Sequence, residues 1–428
     1  MKMVSVSRAF GVIALLTPAA AVQAQDSIGG TGDIVISPAL SRSDAAGART
    51  EAGLGPQAIN AGPFVINSSL SLAGGYDSNV LRGANGQGDA FVTAIPRLRA
   101  SLDTGVAQVQ LSGIASLRRF ADLSSENAEE FQFSTGVSMP FADSHSVTAS
   151  ASFGHLSQER NSLGSDQATA EPIEYDQLVG SIGTELVFGN LQIGPSLRYS
   201  ELSYDSVKLL SGVETSLAFR DQRTVSGSLR LGYAISPLVA VFASGEVEEL
   251  ESTAAVGAQN RDARSYTTLA GVRGELTPLI NGEIAVGYRK RDYDNPLFRD
   301  SGGLTYRGNL QWFPTELVSF RLDASQAFLP GGQTEVAGVL SSRASFSAYY
   351  DPTRNLRLAA ILAYEHRDFR DVDATTNRPS VRVQAQYQFN PHLSLGGYMS
   401  LTKQSVSGER IVQPNETLNA GLGIVLTP

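Results

Sequence analysis

The chain has 428 residues, no cysteine and a formal charge of −9, with 33 Lys and Arg against 42 Asp and Glu. The negative balance argues against nucleic acid as a partner, and the lack of thiols excludes disulfides and thiolate metal sites. No window past the N-terminus offers the roughly 18 consecutive apolar residues of a membrane-spanning helix.

The first element in chain order is an export signal. "MKMVSVSRAFGVIALLTPAAAVQAQDS" carries Lys2 and Arg8 before an apolar core at Ala9–Leu16, and Val22-Gln23-Ala24 forms a small-residue cleavage pattern. This predicts a signal peptide over 1–24 and a mature chain from Gln25. Residues 25–62 are rich in Gly, Ala and Ser and lack a sustained period. They are expected to form a flexible periplasmic arm, with an N-terminal plug as the alternative.

From residue 63 to 428 the texture changes and stays constant. Segments of ten to fourteen residues alternate apolar and polar, as in "AQVQLSGIASL" (Ala107–Leu117), "LTYRGNLQW" (Leu304–Trp312) and "VRVQAQYQF" (Val381–Phe389). A period of two is a strand with unlike faces. Short Pro- or Gly-bearing connections such as "LDTG" (Leu102–Gly105), "ISPL" (Ile235–Leu238) and "FNPH" (Phe389–His392) alternate with longer polar ones. The longer ones fall near 77–88, 121–128, 160–173, 204–217, 251–262, 293–301, 330–336, 368–378 and 405–415. Nine long loops and eight short turns predict eighteen strands in hairpins of about 40 residues. A propeller would need about four strands in each such unit, whereas two long ones are each able to cross a bilayer when tilted. The expected fold is therefore all-β: a transmembrane antiparallel up-and-down barrel of about eighteen strands, apolar outside and polar inside. Tyr76, Phe188, Tyr199, Tyr233, Trp312, Phe328, Tyr350, Tyr364 and Phe389 lie near segment ends, where interfacial girdles are expected.

Alternation puts Arg97, Arg99, Arg118, Arg198, Arg230, Arg273, Arg289, Arg291, Arg307, Arg321, Arg343, Arg357 and Arg382 on the polar, channel-lining face, with Glu185, Glu275, Glu283, Asp323 and Glu365 as the acids. Two readings stand open: a basic track for anionic solutes, or Arg–acid ladders bracing the lumen. The acidic runs "SSENAEE" (Ser124–Glu130), "EVEELES" (Glu246–Ser252) and "RDVDA" (Arg370–Ala374) are expected in outer loops. There they would be solvated, or offer oxygens to Ca²⁺ or Mg²⁺ bridging lipopolysaccharide. The four histidines, His145, His155, His366 and His392, lack a neighbouring nucleophile signature. No metal motif, P-loop or dinucleotide fingerprint occurs. The expectation is a non-enzyme without cofactor or metal.

The segment "LSLAGGYDSNVLRG" (Leu70–Gly83) resembles the opening strand of the putative β-barrel porin-2 family, with Tyr76, Asp77, Asn79 and Val80 matching its G-Y-D-x-N-V/I motif. The resemblance implies an outer-membrane channel taking part in secretion of an exopolysaccharide, here expected to be anionic. General diffusion of small solutes is the alternative. The partners implied are outer-membrane lipid and lipopolysaccharide, a polysaccharide and periplasmic export machinery.

Overall fold

The structure is a computed structural model. It describes residues 32–36, 40–42, 45–48, 57–142, 144–163, 168–253 and 260–428. The signal peptide expected over 1–24 lies outside the described residues.

Alternating sequence becomes alternating strand. The wall consists of β1 (Phe64–Asp77), β2 (Asp89–Asp103), β3 (Gln108–Phe120), β4 (Ala128–Phe141), β5 (His145–Ser157), β6 (Glu174–Phe188), β7 (Leu191–Tyr204), β8 (Gln222–Ala234) and β9 (Val239–Ser252). It continues through β10 (Ala263–Thr277), β11 (Ile280–Tyr293), β12 (Ser301–Trp312), β13 (Val318–Pro330), β14 (Gly338–Thr353), β15 (Leu356–Phe369), β16 (Ala374–Asn390), β17 (Leu393–Gly408) and β18 (Asn415–Leu426). Each strand pairs antiparallel with its sequence neighbours, and β1 pairs with β18, so the sheet closes. The predicted eighteen strands are the eighteen found. The short strand Ile59–Ala61 folds back on β1 and covers Phe64–Ile66, the part of its edge that β18 does not reach.

Eight tight connections lie at one rim and nine longer ones at the other. Outer-membrane barrels turn tightly in the periplasm and loop out at the cell surface, which makes the longer-loop rim extracellular. Two expected loops are smaller than read: β15 and β16 are joined by residues 370–373, and β17 and β18 by 409–414. Two acidic runs also belong to the wall, Ser124–Glu130 in part and Glu246–Ser252 entirely. Glu130 belongs to β4, and Glu246 and Glu248 to β9, where the register turns all three inward. The sequence reading assigned them to loops because a run of acids masks the period of two.

Two seams are shorter than the rest. Strands β1 and β18 pair over eight residues, and β12 and β13 over only six, Arg307–Trp312 with Phe320–Ser325. Ser301–Tyr306 of β12 and Gln326–Pro330 of β13 are bonded only to their other neighbours, β11 and β14.

The outward face is apolar. Tyr76, Phe188, Tyr233, Trp312, Tyr350, Tyr364 and Phe389 stand exposed there, as girdle residues should. Phe328 does not fit that role, because its ring lies 4.4 Å from the inward Arg291 guanidinium. Val383 is outward and exposed in mid-wall, whereas Leu395, also outward, lies across from Tyr387 near the periplasmic turn. An arginine in lipid at the depth of Val383 costs about 2–4 kcal/mol. Val383→Arg should therefore reduce the fraction of heat-modifiable folded barrel on cold gel electrophoresis.

Candidate functional site

The inner face is the candidate site. Register places all thirteen predicted arginines on it, and they divide into two groups. On β6–β11 each base meets an acid or lies close to one. Arg230 pairs with Glu283 at 2.8 Å, Arg273 with Glu185 at 3.0 Å, and Arg291 with Glu248. Arg230 also stacks over Phe242 at 4.1 Å. Glu246 lies in the combined field of Arg198, Arg289 and Arg307. Arg198, Arg230, Arg273, Arg289 and Arg291 thus face Glu185, Glu246, Glu248, Glu275 and Glu283, and this wall balances.

The wall of β12–β16 does not balance. Its inward bases are Arg307, Arg321, Arg343, Arg357, Arg367, Arg378 and Arg382, and its inward acids are Asp323, Asp351 and Glu365. Arg321 pairs with Asp323 at 2.7 Å and Arg367 with Glu365 at 2.9 Å. Arg343 lies directly across from Glu365, and Arg357 from Gln386. On β2 and β3, Arg99 is exposed near the periplasmic rim, and Arg118 stacks on Phe120 at 5.8 Å.

The motif Tyr76-Asp77-Ser78-Asn79 is the clasp of the barrel. Tyr76 points outward, and Asp77 and Asn79 are buried. Asp77 Oδ2 accepts from Asn419 Nδ2 of β18 at 2.9 Å, and Oδ1 accepts from the Asn79 backbone N–H at 2.9 Å and from Arg82. Asn79 Nδ2 donates to the Gly83 and Glu416 carbonyls. Ser78 exchanges bonds with Leu418 through its N–H and its hydroxyl. Gly75 is required beside them, because a Cβ there would lie 2.5 Å from both the Ala420 carbonyl and the Phe91 ring.

Chain segments lie across both mouths. At the extracellular one the described start of the β5–β6 connection, Gln158–Leu163, reaches over to β14–β17, nearly opposite in the ring. Arg160 forms a buried ion pair with Glu126 and bonds Thr169. The Asn161 side chain donates to the carbonyls of Arg82 and Gln413, and its Oδ1 accepts from the Gln413 N–H, each at 2.8 Å. Arg367 donates to the Ser162 carbonyl at 2.6 Å. Leu163 then enters an apolar knot with Val336, Val339, Phe369, Ala374 and Val412. Glu159 takes a two-pronged bond from Arg378 and lies 3.6 Å from Arg82. Packing at the rim opposes its ionisation, but the charges and hydrogen bonds of Arg378, then Arg82 and Arg367, outweigh this and hold the carboxyl down to about 2. Its side chain keeps 42% exposure, so the latch is partly screened. In the sequence, the polar "QERNSL" run (Gln158–Leu163) held the only signal of this crossing, its single leucine.

From mid-lumen down to the periplasmic rim, part of the expected arm rests on the inner wall. Asp33 pairs with Arg97 at 2.6 Å, and its carbonyl accepts from Arg382 and Gln384. Ile34 is buried against Ala73, Tyr398 and Val425. Ser41 bonds Gln311, and Gly47 donates to Asp351 Oδ2 at 3.0 Å. Two of the predicted lining arginines, Arg97 and Arg382, are therefore engaged by this segment. His155 and His366 sit on outward-facing positions, paired with Asp176 and Asn377 and turned away from the lumen.

A charge-lined lumen with segments across both mouths defines a porin-like barrel of the bacterial outer membrane. The chain belongs to the family described as Putative beta-barrel porin 2, whose sequence model matches residues 51–420. No curated protein matches the chain. Solved structures with similar folds include a mutant of the ferric enterobactin receptor PfeA of Pseudomonas aeruginosa, 9% identical over 84% of this chain and 80% of that one, with a TM-score of 0.42. The copper transporter OprC is 8% identical over 88% and 82%, TM-score 0.45, and the siderophore receptor PirA of Acinetobacter baumannii 7% over 89% and 83%, TM-score 0.42. Likeness at these identities concerns fold alone.

The clasp yields a stability prediction. Asp77→Ala leaves Arg82 and Asn419 without their acceptor in a buried place, and should lower stability by about 3 kcal/mol, read as a lower urea midpoint in refolded barrel. The latch yields a gating prediction. Glu159→Gln keeps the shape and removes the charge, and should raise open probability in planar bilayers. The Glu159 carboxyl is depressed from its usual 4.5 to about 2. Its latching contribution is therefore complete above about pH 4.5 and is lost as pH falls towards 2. The wild-type latch should stay insensitive between pH 5 and 8, which conductance recorded across that range checks.

Proposed function

We propose that the barrel is a non-catalytic conduit for an anionic polysaccharide leaving the cell. The observation that supports this is the unequal lumen. Acids balance the bases on β6–β11, which braces that wall, while β12–β16 carry seven bases against three acids. An excess of guanidinium along five adjacent strands is a continuous track for carboxylates or phosphates. In a hydrated pore each contact is weak, which suits a chain that must keep moving. The energy for movement would come from periplasmic machinery. The segments at both mouths fit this use, because a barrel of this strand number left open would leak.

General diffusion of small solutes is the second reading, favoured by one observation: a loop folded into the outer mouth narrows what can pass. Planar bilayers and cells decide between them. The wild-type barrel should prefer anions, and replacing Arg321, Arg343 and Arg357 by Gln should abolish the preference while folding survives. A gene deletion should stop polymer secretion. A cation-selective wild-type pore, or a deletion that spares secretion and lowers small-solute uptake, overturns the export reading.

A further inference from the structure

The short seam between β12 and β13 goes beyond a pore that opens only at its ends. In hydrocarbon an unpaired strand edge costs several kcal/mol for each unsatisfied group, so closed barrels pair throughout. Here Ser301–Tyr306 and Gln326–Pro330 face each other without a ladder among the described residues, in the extracellular half of the wall. Neighbouring strands elsewhere pair over eleven or more residues, save at the β1–β18 closure. The closure seam is clasped by Asp77 and Asn79 and backed by Ile59–Ala61. Among the described residues the β12–β13 seam has no such clasp.

What lies at the gap is specific. Arg289 of β11 reaches over the position of Gly303 and donates to the Gln326 carbonyl at 3.2 Å, so a lumenal cation serves an acceptor that the ladder has left free. The other bond of Arg289 is to the Thr267 hydroxyl, also a neutral oxygen. Arg307 stands where pairing begins, opposite Ser325, and makes no ion pair among the described residues. A Cβ on Gly303 would meet nothing within 4 Å, so the inner face is open at that position. Counting the neighbours, Arg198, Arg289, Arg291 and Arg307 outnumber Glu246 and Glu248 by two. On the lipid side the rim is apolar: Leu304 is 83% exposed, beside the partly exposed Tyr306.

Cations inside and apolar groups outside, across a gap in the wall, match an amphiphile with an anionic head. We propose that the β12–β13 seam is a lateral binding portal for a phosphorylated lipid of the outer leaflet. The phosphate lies against Arg289 and Arg307, taking over the donor now given to Gln326, and the acyl chains stay outside along Leu304 and Tyr306. Arginine forks bind phosphate in two-pronged fashion, and the lipid's own oxygens can serve the free strand edges. The inference is independent of what travels along the pore axis.

The test uses the full mature barrel in detergent with added lipid A, read by native mass spectrometry, and phosphatidylcholine as the zwitterionic control. Wild type should retain one lipid A per barrel. Arg289→Gln with Arg307→Gln should lower occupancy roughly tenfold or more, as expected when charge-assisted bonds are lost. The single Arg307→Gln variant serves if the pair fails to fold, with a smaller drop in the same direction. A photo-crosslinking residue at Leu304 should capture lipid A in preference to phosphatidylcholine, whereas one at Leu395 should show no preference. Equal retention by wild type and variants, equal capture of both lipids at Leu304, or capture there of a polypeptide adding a strand would each overturn the proposal.

Discussion

The rest of the structure depends on the closure of one hydrogen-bonded ring in a medium that offers no hydrogen bonds. A free sheet edge in lipid costs several kcal/mol for each unsatisfied group, so the first strand must find the last across the whole length of the sequence. The Tyr-Asp-Ser-Asn turn sits at that meeting point. Asp77 holds Asn419 of β18, Asn79 holds the Glu416 carbonyl, and Ser78 exchanges bonds with Leu418. A stretch that looks like an ordinary loop start is a closing device, and its polar residues are buried because they join strands.

Closure has a consequence for the interior. With the apolar face spent on lipid, the inner face is wet and can hold charge, but water does not remove the need to space like charges. The β6–β11 wall meets that need with Arg–Glu pairs running from strand to strand. The β12–β16 wall leaves bases in excess, and the segment containing Asp33 supplies one further acid to the lumen, at Arg97. The two readings open at the sequence level, basic track and bracing ladder, describe different sides of one lumen.

The fold was legible because barrel physics writes itself locally. A period of two, proline-marked short turns and polar long loops are each decided within a few residues, and together they fix strand number. What could not be read depends on distant partners. The crossing of Glu159–Leu163 to Val412 and Phe369 shows no period in sequence. The inward Glu246 and Glu248 were hidden in an acidic run whose alternate members, Glu249 and Glu251, face out. Phe328 read as a girdle aromatic because its strand alternates correctly, yet the six-residue seam lets its ring approach Arg291.

The two mouths differ in how their covering segments are held, and that difference bears on the order in which they would yield. The outer loop combines a buried ion pair, a charged latch and an apolar knot around Leu163. Apolar contact is lost all at once when a segment moves, so this cover behaves as a unit with an open and a closed state. The described inner segment is held by polar bonds at spaced points and by two separate apolar contacts, Ile34 against Ala73, Tyr398 and Val425, and Ile36 with Ala46 against Tyr349 and Ala359. Contacts spread along a segment can be released in turn, whereas the outer cover gathers its apolar contact in one knot. A ligand arriving from the periplasm with its own anionic groups would replace Asp33 on Arg97, and would have to displace both apolar contacts before it met the outer cover.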